Sequence, residues 1–392
     1  MAGSTAFNII TKPTGSRCNL TCDYCYFLKK EKRYASSNFK MDEAQLEIFI
    51  KQYIQSQPPG EVIFTWQGGE PTLMGISFFE KVISLQQQYC PPDKTILNSL
   101  QTNGTLLDDD WGQFLANNQF LVGLSMDGPP HLHNTYRKTK NGGPTHGQVM
   151  NGLNILTKHC VKTNILTCVN AANYAYPLDV YHYFRDTLNM QYLQFIPIVE
   201  RANKTGNQRG EKLTSRSISG KEYGDFLITI FDEWISQDVG KMFVQIFEVC
   251  VGVWSGFPAS ICIFNPTCGA CLALEHNGNL FSCDHYVQND AFLGNISEIA
   301  LISMVFSPQQ IQFGKNKKSK LPPQCTHCDV RFICNGGCPK NRILTPKNET
   351  QPINHLCDGY KSFFHHIDQP MKMISSLVRT GRPASDILNL LT

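Results

Sequence analysis

The sequence predicts an α/β chain: an open, partial barrel of six βα units, then a cysteine-rich segment that needs metal to fold. Three observations carry this. From residue 7 to about residue 200, short apolar runs alternate with amphipathic stretches of helical spacing, the pattern of βαβ units around a parallel sheet. Six units are too few to close an eight-stranded barrel. From Ser260 to about Asp368 the periodicity fades and cysteines crowd in, and such a segment gains from bound metal the stability that apolar burial cannot supply.

The apolar runs lie near Phe7–Ile10, Val62–Trp66, Ile96–Leu100, Leu121–Met126, Asn164–Val169 and Tyr192–Val199. Between them, Glu43–Gln55 sets Leu46, Phe49, Ile50 and Tyr53 on one stripe, the mark of a helix packed on a sheet. Phe78–Gln88, Asp109–Ala116, Gly147–Lys158 and Leu178–Leu188 read as further helices. Glu200–Gly220 is polar and rich in Arg, Lys, Asn, Ser and Gly, hence a loop. A helix follows over Lys221–Gln237, and a short one is expected in the tail Met371–Thr392. The expected units are a barrel over residues 1–235, a cysteine-rich domain with its bridging helix over 236–370, and a helical tail over 371–392.

The totals narrow the function class. The chain has 392 residues, 35 basic and 32 acidic, for a net charge of +3. That balance gives no field for nucleic acid or a membrane surface, so neither is expected as a partner. The run Lys315, Lys317, Lys318, Lys320 reads as a solvated loop. Met1–Thr11 lacks the charged start and apolar run of a signal peptide. No stretch approaches the eighteen apolar residues of a membrane helix. A cytoplasmic location is expected, in which Asn295-Ile-Ser297 and Asn348-Glu-Thr350 carry no glycan. Sixteen cysteines in that compartment point to metal rather than disulfides.

Cys18-Asn-Leu-Thr-Cys22-Asp-Tyr-Cys25 places three thiols just after the first strand, at the strand end that carries chemistry in α/β barrels. Three thiolates from one loop can hold three irons of a cubane 4Fe–4S cluster and leave the fourth open. A structural zinc site wants a fourth protein ligand close by, and the next cysteine is Cys90. This spacing, followed by Tyr26, resembles the signature of the radical S-adenosylmethionine (SAM) superfamily. The resemblance implies that the open iron chelates SAM, whose cleavage releases a 5′-deoxyadenosyl radical.

Gln67-Gly68-Gly69-Glu70-Pro71 ends the second run. Two glycines allow close backbone approach to a ligand, and Glu70 can accept from an ammonium. The segment looks like the motif that holds the SAM amino group. Gln101-Thr-Asn103-Gly104 and Ser125-Met-Asp127-Gly128 end the third and fourth runs. By resemblance, Gln67, Asn103 and Ser125 lie by SAM, and Arg137 pairs with its carboxylate; a surface arginine is the alternative.

Cys325-x2-Cys328-x5-Cys334-x3-Cys338 and then Cys357 follow Cys268-x9-Gly278-x4-Cys283. The whole array resembles the seven-cysteine SPASM domain, which implies two auxiliary 4Fe–4S clusters and three in all. The family's connectivity crosses over. One cluster is implied on Cys268, Cys283, Cys338 and a fourth ligand, the other on Cys325, Cys328, Cys334 and Cys357. Cys262 matches the extra ligand of sulfatase-maturating enzymes, with Cys271 as its rival. Cys90, Cys160, Cys168, Cys250 and Cys271 otherwise read as small buried hydrophobes.

Over residues 6 to 370 the chain is most similar to the anaerobic sulfatase-maturating enzyme family. The carrying segments are Lys12-Pro13-Thr-Gly-Ser-Arg-Cys18, Trp66-Gln67-Gly-Gly-Glu-Pro71, Leu124-Ser-Met-Asp-Gly-Pro129, Cys283-Asp284-His285-Tyr286 and Cys334-Asn-Gly-Gly-Cys338-Pro339-Lys340. The resemblance implies oxidation of a Cys or Ser in a sulfatase polypeptide (Cys/Ser-x-Pro-x-Arg) to formylglycine. The radical takes a hydrogen from Cβ, a base takes the thiol or hydroxyl proton, and an electron leaves toward an auxiliary cluster. Asp284 matches the proposed base. Burial beside a cluster thiolate is expected to raise its pKa. Tyr26 and Phe27 are candidate pocket aromatics. A flavodoxin or ferredoxin is implied as electron partner. Two other readings share the cysteines: a SPASM-type maturase that crosslinks or epimerises a ribosomally made peptide, and a metal-stabilised binding or electron-carrier protein.

Overall fold

The computed structural model describes residues 6–34, 38–203, 207–346 and 351–390. Asn348–Thr350 and the last two residues of the tail lie outside them. Among the described residues, ten strands form one sheet in the order β10-β9-β8-β1-β2-β3-β4-β5-β6-β7. β1 is Asn8–Lys12, β2 Gly60–Trp66, β3 Lys94–Thr102, β4 Leu121–Ser125 and β5 Thr163–Val169. β6 is Tyr192–Pro197, β7 Phe243–Val244, β8 Cys271–Glu275, β9 Asn279–Phe281 and β10 Phe292–Asn295. The six predicted strands stand side by side in chain order and pair in parallel. Parallel neighbours require a crossover, which the helices Glu43–Ser56, Ile76–Tyr89, Asp109–Asn117, His146–Lys158 and Pro177–His182 provide. The fifth predicted helix is shorter than expected, because it widens into a π turn over Tyr183–Thr187.

An aromatic layer joins these helices to the sheet. Phe49 lies edge-on to Phe64 at 5.7 Å and to Trp66 at 6.2 Å, and Phe79 meets Trp66 at 5.8 Å. The buried Trp66 indole donates to Asn98 Oδ1 at 2.9 Å, so its polar edge is satisfied as its area is buried.

The sheet does not stop at the expected domain boundary. β8, from the cysteine-rich segment, pairs in parallel with β1 and sets Glu275 opposite Lys12. β7, beyond residue 235, pairs with β6. The tail boundary at 370/371 is also corrected: one helix runs from Cys357 to Arg379, through Pro370. A proline inside a helix costs roughly 3 kcal/mol. Here that is offset by a buried stripe of Tyr360, Phe363, Phe364, Ile367, Met371, Ile374 and Leu377. This helix packs on Gly220–Gln237, with the Tyr223 and Tyr360 rings 6.0 Å apart. The lysine run is corrected too. It lies on the helix Pro308–Ser319, with Lys317 buried; that helix has no apolar period for the sequence to display.

Of the cysteines read as small buried hydrophobes, only Cys250 is fully buried, and Cys160 is exposed. Cys160 ends the helix His146–Lys158 with φ +54°. The Val161 N–H donates to the Leu156 carbonyl at 2.9 Å and the Cys160 N–H to the Thr157 carbonyl at 3.0 Å, the paired bonds of a Schellman cap. That position suits glycine. Cys160→Gly is therefore expected to stabilise the fold by roughly 1 kcal/mol, read as a raised Tm in anaerobic thermal denaturation.

Candidate iron–sulfur and SAM site

The site is built on the C-terminal ends of β1 to β4. After β1 the chain turns at once: the Gly15 N–H donates to the Lys12 carbonyl at 2.9 Å and the Arg17 N–H to the Thr14 carbonyl at 3.0 Å. The cysteine loop follows, pinned by Thr21 N–H to the Lys138 carbonyl at 2.8 Å and Asp23 N–H to the Tyr136 carbonyl at 2.9 Å. Cys18 Sγ accepts from the Leu20 N–H at 3.4 Å and from Asn103 Nδ2 at 3.7 Å. Burial pushes the Cys18 thiol up to about 12, with Glu70 adding to the effect. Burial also pushes Cys22 up to about 12, against the pull of Arg137. Such thiols stay protonated unless a metal takes the sulfur, and a coordinating thiol is deprotonated outright.

The Gln67–Glu70 turn docks on this loop. The Gly69 N–H donates to the Gly15 carbonyl and the Glu70 N–H to the Arg17 carbonyl, each at 2.9 Å. A Cβ on Gly69 would collide with the Arg17 main chain, so the close approach that needs glycine here is to the cysteine loop. Glu70 is fully buried and its oxygens are filled. Oε1 accepts from Thr72 N at 3.1 Å and from the Thr72 and Thr102 hydroxyls at 2.7 Å; Oε2 accepts from Asn103 N at 2.8 Å. Burial raises its pKa against these four donors. The turn, the loop and the end of β3 are thus one hydrogen-bonded unit. Gly69→Ala is expected to cost about 1–3 kcal/mol as an overpacking change. It should lower iron uptake by the first cysteine group, measured as iron per chain after reconstitution.

Asn103 Nδ2 also donates to Asn19 Oδ1 at 2.9 Å, and Ser125 Oγ accepts from Gln101 Nε2 at 3.0 Å. Gln67 is half-buried at the same strand ends. Arg137 is not a surface residue. Only 6% exposed, it pairs through Nε with Asp127 Oδ2 at 3.1 Å. Tyr24 donates to the same oxygen at 2.6 Å and lies under the guanidinium, 5.7 Å from the ring centroid. The sequence reading did not mark Tyr24 or Asp127 as a unit with Arg137, since 103 residues separate the first two.

Asp284 follows Cys283 in a short helical turn and is buried. It forms an ion pair with Lys12 Nζ, and Tyr26 donates to its Oδ2 at 2.7 Å. Lys30 Nζ donates to its carbonyl at 3.3 Å. Lys12 Nζ also lies over the Phe27 ring, 3.9 Å from the centroid. The expected upward pKa shift is corrected. Burial does push Asp284 up, but Lys12, then His285 and Lys30, outweigh it and hold the carboxyl below the usual range. Burial in turn lowers Lys30 to about 8. Lys12 was legible only as part of a family segment; its side chain is buried because β8 covers the edge of β1. Glu275, its neighbour across that pairing, is buried with neither carboxylate oxygen hydrogen-bonded.

The later cysteines form the two expected groups. Cys325, Cys328, Cys334 and Cys357 line one cavity with Val330, Arg331, Gly336, Asn354 and Lys361. The N-terminus of the 357–379 helix thereby brings in the distant member. Cys262, Cys268, Cys283 and Cys338 lie within electrostatic reach of one another, and Cys271 within reach of Cys262 and Cys268. Among the described residues no three His, Cys, Asp or Glu side chains converge on a point that a single metal ion could fill. Four thiols around a shared cavity are the donor set of a four-iron cluster, and the residues present fit that group.

The Radical SAM superfamily matches residues 13–184, and SPASM, an iron–sulfur cluster-binding domain, matches residues 262–329. A serine-type anaerobic sulfatase-maturating enzyme from Bacteroides thetaiotaomicron is 41% identical over 395 residues, covering 98% of this chain and 94% of the relative. A cysteine-type anaerobic sulfatase-maturating enzyme from Clostridium perfringens is 33% identical over 367 residues, covering 92% of this chain and 95% of the relative. Native anSMEcpe with bound AdoMet and Cp18Cys peptide superposes with a TM-score of 0.85 at 31% identity, over 95% of this chain and 100% of that one. Identity sustained over nearly both full lengths, on a shared fold with iron–sulfur and SAM-binding domains, places this chain in the anaerobic sulfatase-maturating enzyme family of radical SAM proteins.

Proposed function

We propose that this protein oxidises one Cys or Ser side chain of a sulfatase polypeptide, in a Cys/Ser-x-Pro-x-Arg segment, to formylglycine. The observation that carries the reading is the grouping of eleven expected cysteines into three sets, of which only the first has three members in one loop. Cys18, Cys22 and Cys25 hold an open cluster. Cys262, Cys268, Cys283 and Cys338 hold one auxiliary cluster, and Cys325, Cys328, Cys334 and Cys357 the other. The open cluster with SAM supplies a 5′-deoxyadenosyl radical that removes a hydrogen atom from the substrate Cβ.

The chain's own residues bind, orient and move the proton. Gln67, Gly68, Asn103 and Ser125, at the ends of β2 to β4, contact SAM, while Gly69 and Glu70 hold the turn that carries the first two. Arg137, fixed by Asp127, lies beside the cysteine loop and supplies positive charge toward the SAM carboxylate. Asp284, kept ionised by Lys12 and Lys30, takes the substrate thiol or hydroxyl proton, with Tyr26 orienting it. The radical domain spans residues 1–235, and the auxiliary-cluster domain runs from 236 to the end of the 357–379 helix. The reductant is a flavodoxin or ferredoxin, and the work is done in the cytoplasm. Among the described residues no helix is long and apolar enough to cross a membrane.

The test is an anaerobic assay of reconstituted, reduced protein with SAM and paired peptides carrying Cys or Ser in the motif. Aldehyde on either peptide by mass spectrometry is the expected result. SAM cleavage with neither peptide altered contradicts the substrate assignment.

A further inference from the structure

The helix Pro308–Ser319 is poor in apolar residues, yet it is buried along Gln310, Gly314 and Lys317, which share one face. Each of the three holds a different part of the segment that carries Cys262, Cys268 and Cys283. Gln310 Nε2 donates to the Gly269 carbonyl at 3.0 Å and to the Ser282 carbonyl at 3.2 Å. The Gly314 carbonyl accepts from the Cys268 N–H at 3.1 Å, and a Cβ on Gly314 would collide with the Cys268 carbonyl. Lys317 Nζ donates to the carbonyls of Cys262 at 2.9 Å and Ile263 at 2.8 Å. The Lys317 carbonyl accepts from Arg342 Nη1 at 2.8 Å. Arg342 in turn reaches the Gly336 and Asn335 carbonyls, each at 3.3 Å, just before Cys338.

Lys317 is 1% exposed. Among the described residues it has no carboxylate partner; its bonds go to neutral carbonyls. A buried charge needs a counter-charge. The groups of opposite charge within its electrostatic reach are the thiolates of Cys268, Cys338 and Cys262. The other members of the lysine run, Lys315, Lys318 and Lys320, are exposed.

We propose that Lys317 is the counter-charge and positioning residue of the auxiliary cluster on Cys262, Cys268, Cys283 and Cys338, selecting Cys262 over Cys271 as its fourth ligand and raising its reduction potential. The inference rests on the reading that these cysteines hold a cluster, but not on the peptide substrate. Net charge and hydrogen bonding around a cluster set its potential, and a fixed cation favours the more negative, reduced form. Lys317 grips the main chain on both sides of the Cys262–Ile263 peptide, whereas Cys271 is committed to β8, paired with Asn8.

The experiment is a redox titration of the reconstituted holoprotein, followed by electron paramagnetic resonance, with iron per chain measured in parallel. Lys317→Met is expected to shift one midpoint to more negative potential and leave the others in place. Lys317→Arg and the exposed control Lys318→Met should keep the wild-type midpoint. Cys262→Ala should perturb the same cluster, while Cys271→Ala leaves its signal intact. If Lys317→Met takes up one cluster fewer, restoration by Lys317→Arg supports the proposal. An unchanged midpoint in fully loaded Lys317→Met, or loss of the cluster in both variants, overturns it. Failure of wild-type protein to oxidise a sulfatase peptide would leave these potentials unaffected, so the two readings fail separately.

Discussion

Cys22→Ala is expected to reduce SAM cleavage to background while iron stays bound elsewhere in the chain. Cys22 lies in the middle of the three-thiol loop, and the next cysteine in sequence is Cys90. With two thiolates left, the loop cannot hold a cubane with one open corner. The loop's backbone anchors do not involve the Cys22 side chain, since they run through Thr21 and Asp23 to Lys138 and Tyr136, so the fold should survive. The matching control is Cys328→Ala, at the cavity shared with Cys325, Cys334 and Cys357. That variant should lose one cluster's iron as well, yet retain SAM cleavage. Iron content and 5′-deoxyadenosine formation, measured on both variants, separate the two roles. Equal SAM cleavage in Cys22→Ala and wild type would remove the open cluster from the first loop.

Asp284→Asn is expected to keep cluster content and SAM cleavage and to slow peptide oxidation by roughly 10²–10⁴-fold, the range for loss of a positioned base. Asparagine keeps the shape and can still accept from Tyr26, but it cannot hold a proton. The change also leaves Lys12 buried without its partner. Breaking a buried pair costs about 3–5 kcal/mol, but Glu275 stands opposite Lys12 with both oxygens unbonded and offers the ammonium a second carboxylate. The variant should therefore fold. Wild-type aldehyde yield from Asp284→Asn would remove Asp284 from the proton transfer.

The strands and their order were legible because each is a compact apolar run, and a parallel sheet buried on both faces leaves no other place for such runs. The cysteine groups were legible from spacing, since sulfur is too reactive and too rare to recur by composition alone. What escaped was whatever depends on distant parts meeting. Lys12 looks like an ordinary strand-end lysine until β8 covers it and Asp284 arrives from 272 positions away. The upward shift expected for Asp284 followed from burial alone; the two lysines that reverse it lie in another part of the chain. Glycine at position 69 was correctly marked as a close approach, but the object approached is the Arg17 main chain. Lys317 was masked by its neighbours, because a run of lysines reads as solvent-facing and one buried member leaves no trace in composition. The long helix through Pro370 escaped for the opposite reason: its apolar stripe is strong enough to overrule a residue that normally ends helices.

The most direct measurement is the fate of the substrate hydrogen. A sulfatase-motif peptide with deuterium on the Cβ of its Cys or Ser would be incubated anaerobically with reduced, reconstituted protein and SAM. Deuterium in the 5′-deoxyadenosine, formed in step with aldehyde on the peptide, is the predicted result. Aldehyde formed without SAM cleavage, or 5′-deoxyadenosine that carries no deuterium while the peptide is oxidised, would contradict the account.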